Sequence, residues 1–334
     1  MKTKIVFITE NFFPHVGGVE KYFLDIAKEL KKRGYEVRVI TSNSGGKTGC
    51  FEFEGIPIYA YKWFSFADHS IPKKSDLDSH VQWADIVHTT TYTAGPISNK
   101  VAKKYHKPCI IIVHEVLGKK WHWIEKNPFM ALAYRIFEYY CVKQNYDFYL
   151  CNSHSTEQDL QRIVKKSEKI RTIYHSVELE NLKNAVADRK FLNEYFNIKT
   201  DKKVFLYYGR PGLPKGVFVY LKAIKELYKK NSIPIDVVFA FLLSRQPARQ
   251  RKVFIELVKK YKLEKFVLIA ESVPHEKLYS LVKAADYIVV PARTSAGIDQ
   301  DLDLVAQTRL CHFDQVLRAH GASGFQIRAA HINH

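Results

Sequence analysis

The stretch KIVFITENFFPHVGGVE, residues 4–20, decides the fold of this chain. Its first part, residues 4–9, is rich in β-branched and aromatic residues, which predicts a buried strand. The glycine pair Gly17-Gly18 follows, and the amphipathic pattern of a helix begins directly after it. A strand that breaks into a glycine turn and a helix N-terminus is how α/β proteins bring backbone N–H groups close to phosphate. The stretch therefore predicts an α/β domain with a turn suited to anions.

A second turn of this kind lies in the far half of the chain. The segment Gly209–Gly216 follows a buried-type strand and precedes a helical pattern. Strands and helices alternate on both sides of it, which predicts parallel, doubly wound sheets. The strand signal is lost between 179 and 200. We therefore predict an α/β protein with two Rossmann-like domains, residues 1–178 and 201–298, joined by a linker at 179–200.

The last part of the chain has a different composition. The last lysine is Lys283 and the last glutamate is Glu276, although both residue types are frequent before these positions. The segment 321–328 has no helical or strand period. We therefore expect 299–334 to be an anomalous tail that arose by a frame change, a fusion or a truncation. The second domain, 201–298, is then incomplete.

Composition places the chain among soluble globular proteins. Hydrophobic residues make up 46% and charged residues 26%, and no run approaches the roughly 18 apolar residues of a membrane span. The N-terminus runs straight into the first strand and has no signal-peptide pattern, so we expect a cytoplasmic location. The five cysteines are scattered without ligand spacing, which predicts neither a metal site nor a disulfide framework.

The formal net charge of +18 calls for an anionic partner. Basic residues are spread over helix faces rather than gathered in a stripe, so no specific nucleic acid is expected. The segment Lys119–Ile124 sets two tryptophans beside lysines, and an aromatic helix pattern follows at about 129–144. This combination suits an anionic membrane surface. Packing of the same helix inside the first domain explains it equally well.

Six motifs, in this order and spacing, resemble the retaining GT-B glycosyltransferases of family 4. They are residues 12–20, Val87-His88, Val113–Glu115, Asn152-Ser153, Gly209–Gly216 and 285–291. The resemblance covers residues 1–298. It implies two Rossmann-like domains that face each other across a cleft, with the acceptor mainly on the first and the nucleotide sugar mainly on the second. It also implies transfer of a sugar, with retained configuration, to an alcohol acceptor. If the segment 117–144 lies at a membrane surface, that acceptor is expected to be lipid-linked or a glycan.

The resemblance implies a donor site built from both glycine turns. Arg210 and Lys215 are expected to bind the donor diphosphate and to act catalytically by stabilising charge on the leaving group. Gly17 and Gly18 are expected to let the backbone of the first domain approach the donor phosphates. With cations in this role, we expect no metal and no other cofactor.

Two further residues of the first domain are candidates for the site. Glu20, in the first turn of its helix, is expected to orient the acceptor, although an acid is ordinary at that position. His114 follows a buried strand at its carboxyl end, where the residues of a crevice lie. By resemblance it is a catalytic residue that faces the reacting sugar. A lone histidine is also compatible with a structural role.

The chain departs from the family pattern after its last predicted strand. Family members carry a Glu-(x7)-Glu motif there, whereas this chain has Ala296 and Leu304 at the corresponding positions. The activity of this chain is therefore expected to be impaired, and a non-catalytic remnant of the fold is one alternative. A sugar-nucleotide epimerase would want acid–base carboxylates that we do not find in the second domain. A basic nucleic-acid-binding protein is the remaining alternative.

Overall fold

The computed structural model of the protein describes residues 2–15, 17–43, 46–66, 69–125, 127–174, 184–198, 201–212, 215–245, 247–291, 310–312 and 328–331. The chain divides into two compact units, Met1–Ser176 and Val177–His334. Each unit contains a mostly parallel sheet flanked by helices. The prediction of two Rossmann-like α/β domains is therefore confirmed.

The first unit is built on an eight-stranded sheet. Its strands are β1 (Lys4–Ile8), β2 (Glu36–Ser42), β3 (Gly49–Phe53), β4 (Ile56–Tyr61), β7 (Ile86–Thr90), β8 (Cys109–Val113), β9 (Phe148–Cys151) and β10 (Ile170–Thr172), while β5 (Phe64–Phe66) and β6 (His69–Ile71) form a separate hairpin. The order across the sheet is β10-β9-β8-β7-β1-β2-β4-β3. Neighbours are parallel, with the exception of β3, which is antiparallel to β4.

Six helices lie in the described residues of the first unit. They are α1 (Gly18–Lys32), α2 (Lys74–Trp83), α3 (Ala94–Lys104), α4 (Trp121–Ile124), α5 (Pro128–Val142) and α6 (His154–Gln161), with 3₁₀ turns at Gly118–Lys120 and Ser167–Lys169. The sequence fixes several starts locally. Asn127 caps α5, because its side chain accepts from the N–H groups of Phe129 and Met130 at 3.0 and 3.3 Å. Ser153 caps α6 in the same way through the N–H of Thr156.

The first sheet is covered on both faces. Val6 and Ile8 of β1 point into a core that includes side chains of α2 and α3. Ile5 and Phe7 point into the opposite core, which includes the buried face of α1. Because successive residues of a strand face opposite sides, β1 is apolar throughout its length. This is why the pattern of residues 4–9 predicts its burial correctly.

The second unit repeats the architecture on a smaller scale. Its strands are β11 (Lys203–Gly209), β12 (Val237–Leu243), β13 (Val267–Glu271), β14 (Tyr287–Val290), β15 (Leu310–His312) and β16 (Arg328–His331), and its helices are α7 (Arg189–Phe196), α8 (Val217–Lys229), α9 (Ala248–Lys260) and α10 (His275–Ala284). The sheet order is β13-β12-β11-β14-β16-β15. Strands β11 to β14 are parallel, whereas β16 is antiparallel to β14 and to β15.

Each sheet has a topological switch point, where the chain winds away in opposite directions. In the first unit it lies between β1 and β7, and in the second between β11 and β14. Ligands of doubly wound sheets bind outside the carboxyl ends of the strands at such points. The turn after β1 and the turn after β11 are therefore where these ligand sites are expected.

The structure adds elements that the sequence pattern does not predict. The segment predicted as a linker, 179–200, contains α7, whose side chains Leu192 and Phe196 belong to the core of the second unit. The β5–β6 hairpin and α2 are also additions. The tail predicted at 299–334 contains the short strands β15 and β16. Ala296 and Leu304, which stand where the family has glutamates, lie outside the described residues.

Candidate active site

The turn after β1 holds a buried carboxylate next to its glycines. Glu20, in the first turn of α1, is buried, and its Oε1 lies 2.8 Å from Nδ1 of the half-exposed His15. A Cβ atom at residue 17 would collide with the other oxygen of the same carboxylate. Gly17 therefore makes room for Glu20, and Gly18 is the first residue of α1. The structure thus places Gly17, Gly18 and Glu20 in one compact turn.

His114 lies at the carboxyl end of β8, as its position in the sequence predicts. Its ring meets the ring of Tyr22 edge-on, with centroids 5.8 Å apart. Tyr22 is buried on α1, two residues beyond Glu20, and burial raises its pKa. The hydroxyl of Thr156 donates to the backbone carbonyl of His114 at 3.4 Å. Helix α1 therefore supplies side chains to both predicted positions of the first unit, the glycine turn and His114.

A neighbouring histidine belongs to the core instead. His88 of β7 is buried among the rings of Phe7, Phe23 and Tyr22, with centroids 5.2, 5.3 and 6.4 Å away. Burial lowers the pKa of His88 to about 3, because the charged imidazolium would lose its hydration in this aromatic surrounding. His88 is therefore neutral at ordinary pH, and its contacts identify it as a scaffold residue.

A second buried carboxylate lies at the switch point of the first sheet. Glu10 follows β1, and its Oε1 accepts hydrogen bonds from the N–H and the hydroxyl of Thr93, at 2.8 and 2.5 Å. Its Oε2 lies 2.9 Å from Nδ1 of His69 in the β5–β6 hairpin. The Thr93 hydroxyl also contacts the carbonyl of Ser70. Glu10 thus joins β1, the hairpin and the start of α3 at one point of the crevice.

Aromatic rings extend this crevice towards α5. The ring of Tyr92 lies 5.2 Å from that of His69 and stacks, at 6.5 Å, with the ring of Phe137. Burial and the surrounding carboxylates raise the pKa of Tyr92 well above its usual range. This edge of the first sheet therefore combines aromatic rings with the carboxylate of Glu10. A sugar or another polyhydroxylated group binds well to such a surface, because aromatic faces cover its C–H groups and carboxylates accept from its hydroxyls.

The segment after His114 is fixed by a third buried carboxylate. Glu138 on α5 accepts hydrogen bonds from the N–H groups of Leu117 and Gly118, at 2.8 and 2.7 Å. Burial raises its pKa, and the two backbone N–H groups act in the opposite direction. Two hydrogen bonds from adjacent amides hold this backbone in one conformation. Helix α5 therefore sets the path of the chain directly beyond His114.

The second unit carries the predicted cations at its own switch point. Gly209 ends β11 at φ +141°, and Gly216 precedes α8 at φ +70°, two conformations that favour glycine. Between them, Arg210 is exposed and Lys215 is half-buried, and the hydroxyl of Tyr207 donates to the carbonyl of Arg210 at 3.2 Å. The loop ends at the N-terminus of a thirteen-residue helix, which carries partial positive charge. Both cations and the helix terminus therefore favour an anion at this edge.

An arginine on the neighbouring strand has its own counter-ion. Arg245 follows β12, and two of its guanidinium nitrogens lie 2.9 and 2.8 Å from the same oxygen of Glu271, at the end of β13. This hydrogen bond lowers the pKa of Glu271. Arg245 therefore has a carboxylate partner on the neighbouring strand.

Metal ligands do not gather in the described part of the chain. There, no three side chains of His, Cys, Asp or Glu lie close enough together to hold an ion. Cys109, Cys141 and Cys151 are buried in the first unit, and Cys50 is exposed. The expectation that the reaction uses no metal stays a prediction.

The sequence predicts only part of this arrangement. It names Gly17, Gly18, Glu20, His114, Arg210 and Lys215, and the structure places the first four in the first unit and the last two on one loop of the second. It misses Glu10, Glu138 and their partners. One signal was present: Glu10 comes directly after the first strand, where a doubly wound sheet has its crevice.

Two family models match the chain in succession. Residues 16–181 match the model described as Glycosyltransferase Family 4, and residues 188–298 match the model described as Glycosyl transferases group 1. Among curated relatives, an alpha-monoglucosyldiacylglycerol synthase of Streptococcus pneumoniae is 23% identical over 237 residues. The match covers 68% of this chain and 53% of the relative, so the chain spans about half the length of that protein.

Solved structures resemble the fold over most of the chain. Sucrose-phosphate synthase from Thermosynechococcus elongatus superposes with a TM-score of 0.64 and 20% identity, over 87% of this chain and 76% of its own. The Anabaena protein HepE, in complex with UDP and glucose, superposes with a TM-score of 0.63 and 16% identity, over 85% and 72%. At such identities the likeness shows the fold, which is that of GT-B proteins with two Rossmann-like domains.

Proposed function

The chain belongs to the family 4, group 1 glycosyltransferases, and we propose that it transfers a sugar from a nucleotide-diphosphate donor to an alcohol acceptor with retained configuration. One observation carries the proposal. The loop with Arg210 and Lys215 lies at the topological switch point of the second sheet and leads into the N-terminus of α8. A diphosphate is the ligand that two cations and a helix N-terminus favour together.

The donor is proposed to be a sugar linked to a nucleoside diphosphate. During transfer, the bond between the anomeric carbon and a phosphate oxygen breaks, and negative charge collects on the diphosphate. Arg210 and Lys215 stabilise that charge, so they lower the barrier as well as bind the donor. The HepE complex with UDP and glucose supports a nucleotide sugar for this fold. We propose that Gly17 and Gly18 approach the donor phosphates through their backbone.

The acceptor is proposed to bind to the first unit. Glu20 contacts His15 in the turn after β1, and Glu10 contacts Thr93 and His69. Carboxylates in fixed positions accept hydrogen bonds from hydroxyl groups and so orient an acceptor alcohol. His114 is proposed to face the reacting sugar. As the new bond forms, the acceptor oxygen attaches to the anomeric carbon and its proton leaves with the diphosphate.

The acceptor class is proposed to be lipid-linked or a glycan. The name of the streptococcal relative, a glucosyldiacylglycerol synthase, supports a lipid alcohol. The net charge of +18 supports work at a surface of anionic lipids. We therefore propose that the protein is cytoplasmic and is peripheral at the inner face of the membrane.

Calorimetric titration of the full chain with UDP-, GDP- and ADP-sugars tests the donor site. One donor is expected to bind, and Arg210→Ala or Lys215→Ala is expected to weaken it about 10- to 100-fold, the value of a charge-assisted hydrogen bond. Lys222→Ala, on an exposed position of α8, is the matched control and should bind as the wild type does. Release of the nucleoside diphosphate on addition of lipid and sugar alcohols then tests transfer, and proton NMR of the product gives its anomeric configuration.

Two results would contradict the proposal. If the folded chain binds no nucleotide sugar, it is a non-catalytic remnant, as the departures after residue 291 would then explain. The second result is that the chain binds no donor but binds mixed-sequence DNA, with an affinity that rises steeply as the salt concentration falls. The basic charge would then serve nucleic-acid binding. A product with inverted configuration would contradict the retaining mechanism alone.

A further inference from the structure

Helix α5 has two apolar faces, of which only one is covered by its own unit. Ala131, Cys141 and Val142 are buried against the first unit. On the opposite side, Phe129 is 82% exposed and Ile136 is 61% exposed. A surface helix normally turns charged and polar residues to water, so this outward face is unusual.

The outward face forms a continuous stripe. We call it the α5 face and define it by the exposed side chains Phe129, Leu132, Ile136 and Tyr140. Their spacing of three, four and four residues places them above one another along the helix. Helix α4 packs against α5, and its Trp123 adds an exposed aromatic ring beside the stripe. Tyr139 of α5 adds another.

The exposed charges at the borders of the α5 face are mostly basic, although the carboxylate of Glu125 lies between α4 and α5 and accepts from the N–H of Asn127. The helix, which the structure describes in full, has Glu138 as its one carboxylate, and that side chain is buried and hydrogen-bonded to the backbone. Arg135 and Lys143 are exposed at its borders, and Lys119 is exposed just before α4. The ammonium group of Lys143 lies 4.7 Å above the ring of Tyr139, so its stem covers apolar surface while its charge stays outside.

We propose that the α5 face is a docking surface for a bilayer that contains anionic lipid. Apolar side chains in the centre, tyrosine and tryptophan beside them, and cations at the border form the pattern of a helix that lies in the plane of a membrane interface. Helix α5 has fifteen residues and is about 22 Å long, which is too short to cross a hydrocarbon core of roughly 30 Å. No helix in the described ranges has the length and apolarity of a membrane span.

Docking at this face would bring the crevice close to the lipid surface. Phe137, on the same helix, stacks with Tyr92 at the crevice wall, and Tyr92 contacts His69. Glu138 holds the segment beyond His114. The face and the predicted acceptor side therefore share one helix. The choice of a bilayer as the occupant rests on the proposed function, because a lipid-linked acceptor has to be reached at a membrane surface.

Vesicle sedimentation of the full chain tests the proposal without turnover. The chain is expected to bind vesicles of phosphatidylcholine with phosphatidylglycerol, and to bind pure phosphatidylcholine more weakly. Each apolar side chain removed from the face should weaken binding about tenfold, so Phe129→Ser/Ile136→Ser should weaken it about a hundredfold. The matched control is Val186→Ser/Ile235→Ser, which removes two exposed apolar side chains of the second unit and should bind as the wild type does.

A second pair of variants tests the border charges. Arg135→Gln and Lys143→Gln should weaken binding to anionic vesicles and leave binding to neutral vesicles unchanged. Circular dichroism and urea unfolding establish that each variant is folded.

Three results would overturn the proposal. The first is that the folded wild type binds neither kind of vesicle. The second is that the Phe129→Ser/Ile136→Ser variant binds vesicles as tightly as the wild type. The third is a dimer in lipid-free solution that this variant abolishes while vesicle binding stays the same, since a second copy is then the occupant. If the chain binds vesicles but no nucleotide sugar, the docking surface is supported and the proposed transferase function is contradicted. The two failures are therefore distinguishable.

Discussion

The carboxylate of Glu20 lies 2.8 Å from the imidazole Nδ1 of His15, across the turn that carries the first glycine pair. The two residues are five positions apart, and one is buried whereas the other is half-exposed. Their contact explains why Gly17 is needed: the space where its Cβ would be is taken by the second oxygen of Glu20. The turn is therefore shaped around a buried carboxylate.

Gly17→Ala is expected to displace the carboxylate of Glu20. The backbone of residue 17 is extended at φ −159°, so alanine causes no backbone strain and the collision alone is measured. Because the colliding oxygen is the far end of a flexible side chain, we expect the free energy of unfolding to fall by less than about 1 kcal/mol and kcat/KM to fall about tenfold. In the double variant Gly17→Ala/Glu20→Ala the alanine at 17 should add no further cost to stability. If it costs as much as in the wild type, the collision is not its cause.

Thr93→Val is expected to loosen the β5–β6 hairpin. The substitution removes the hydroxyl that donates to Glu10 and contacts the carbonyl of Ser70, and it leaves those buried oxygens without this partner. The free energy of unfolding should fall by about 1–3 kcal/mol, measured by urea denaturation. Thr93→Ser keeps the hydroxyl and should recover most of the loss. Equal stability of the two variants would rule out the hydrogen bonds as the reason.

Glu138→Gln is expected to free the segment beyond His114. Glutamine has one carbonyl oxygen for two N–H donors, and its amide group would face one of them. Amide exchange at Leu117 and Gly118 should accelerate, and kcat should fall while the KM for the nucleotide sugar stays constant. Glu226→Gln, on an exposed position of α8, is the control. Unchanged exchange at both amides would contradict the assigned role.

Acid is expected to destabilise the first unit through its buried histidines. Burial lowers the pKa of His88 to about 3 and that of His80 to about 4, whereas both are near 6.5 in the unfolded chain. Below pH 6.5 the unfolded state therefore binds more protons. Stability is complete above that pH and falls towards pH 4, by about 1.4 kcal/mol per pH unit for each histidine.

Urea unfolding at a series of pH values measures this slope. His88→Leu should reduce it, because a neutral side chain then fills the aromatic pocket. His106→Asn is the control, since His106 is exposed and has a left-handed backbone that asparagine accepts. A slope that His88→Leu leaves unchanged would assign the acid sensitivity to other groups.

The sequence predicts the framework because buried parallel strands leave long apolar runs. Strands β1, β8 and β12 are of this kind, and glycines mark the turns after β1 and β11, which lie at the switch points. The β5–β6 hairpin has three-residue strands, too short for a period to emerge. In α7 the charged residues around 188–194 hide the core positions Leu192 and Phe196, which is why the segment resembles a linker.

The hydrogen bonds of the candidate site could not be predicted for a different reason. Glu10 and Thr93 are 83 residues apart, and Glu138 is 21 residues from Leu117. The sequence does not distinguish a buried glutamate from an exposed one. The partners of a buried glutamate are backbone groups or side chains that are distant in the sequence. Local pattern therefore identifies turns such as that of Gly17 and cannot identify pairs that only the folded sheet brings together.

The β5–β6 hairpin stands outside the eight-stranded sheet, and Glu10 and Thr93 fasten it to the crevice. The rest of its sequence can change without altering the order of the strands, provided that Glu10, Thr93 and the hairpin residue His69 are kept. The hairpin is therefore a segment that can be exchanged without rebuilding the sheet. Exchanging the sequence of this hairpin therefore tests, on an unchanged sheet, whether the hairpin takes part in the proposed acceptor site.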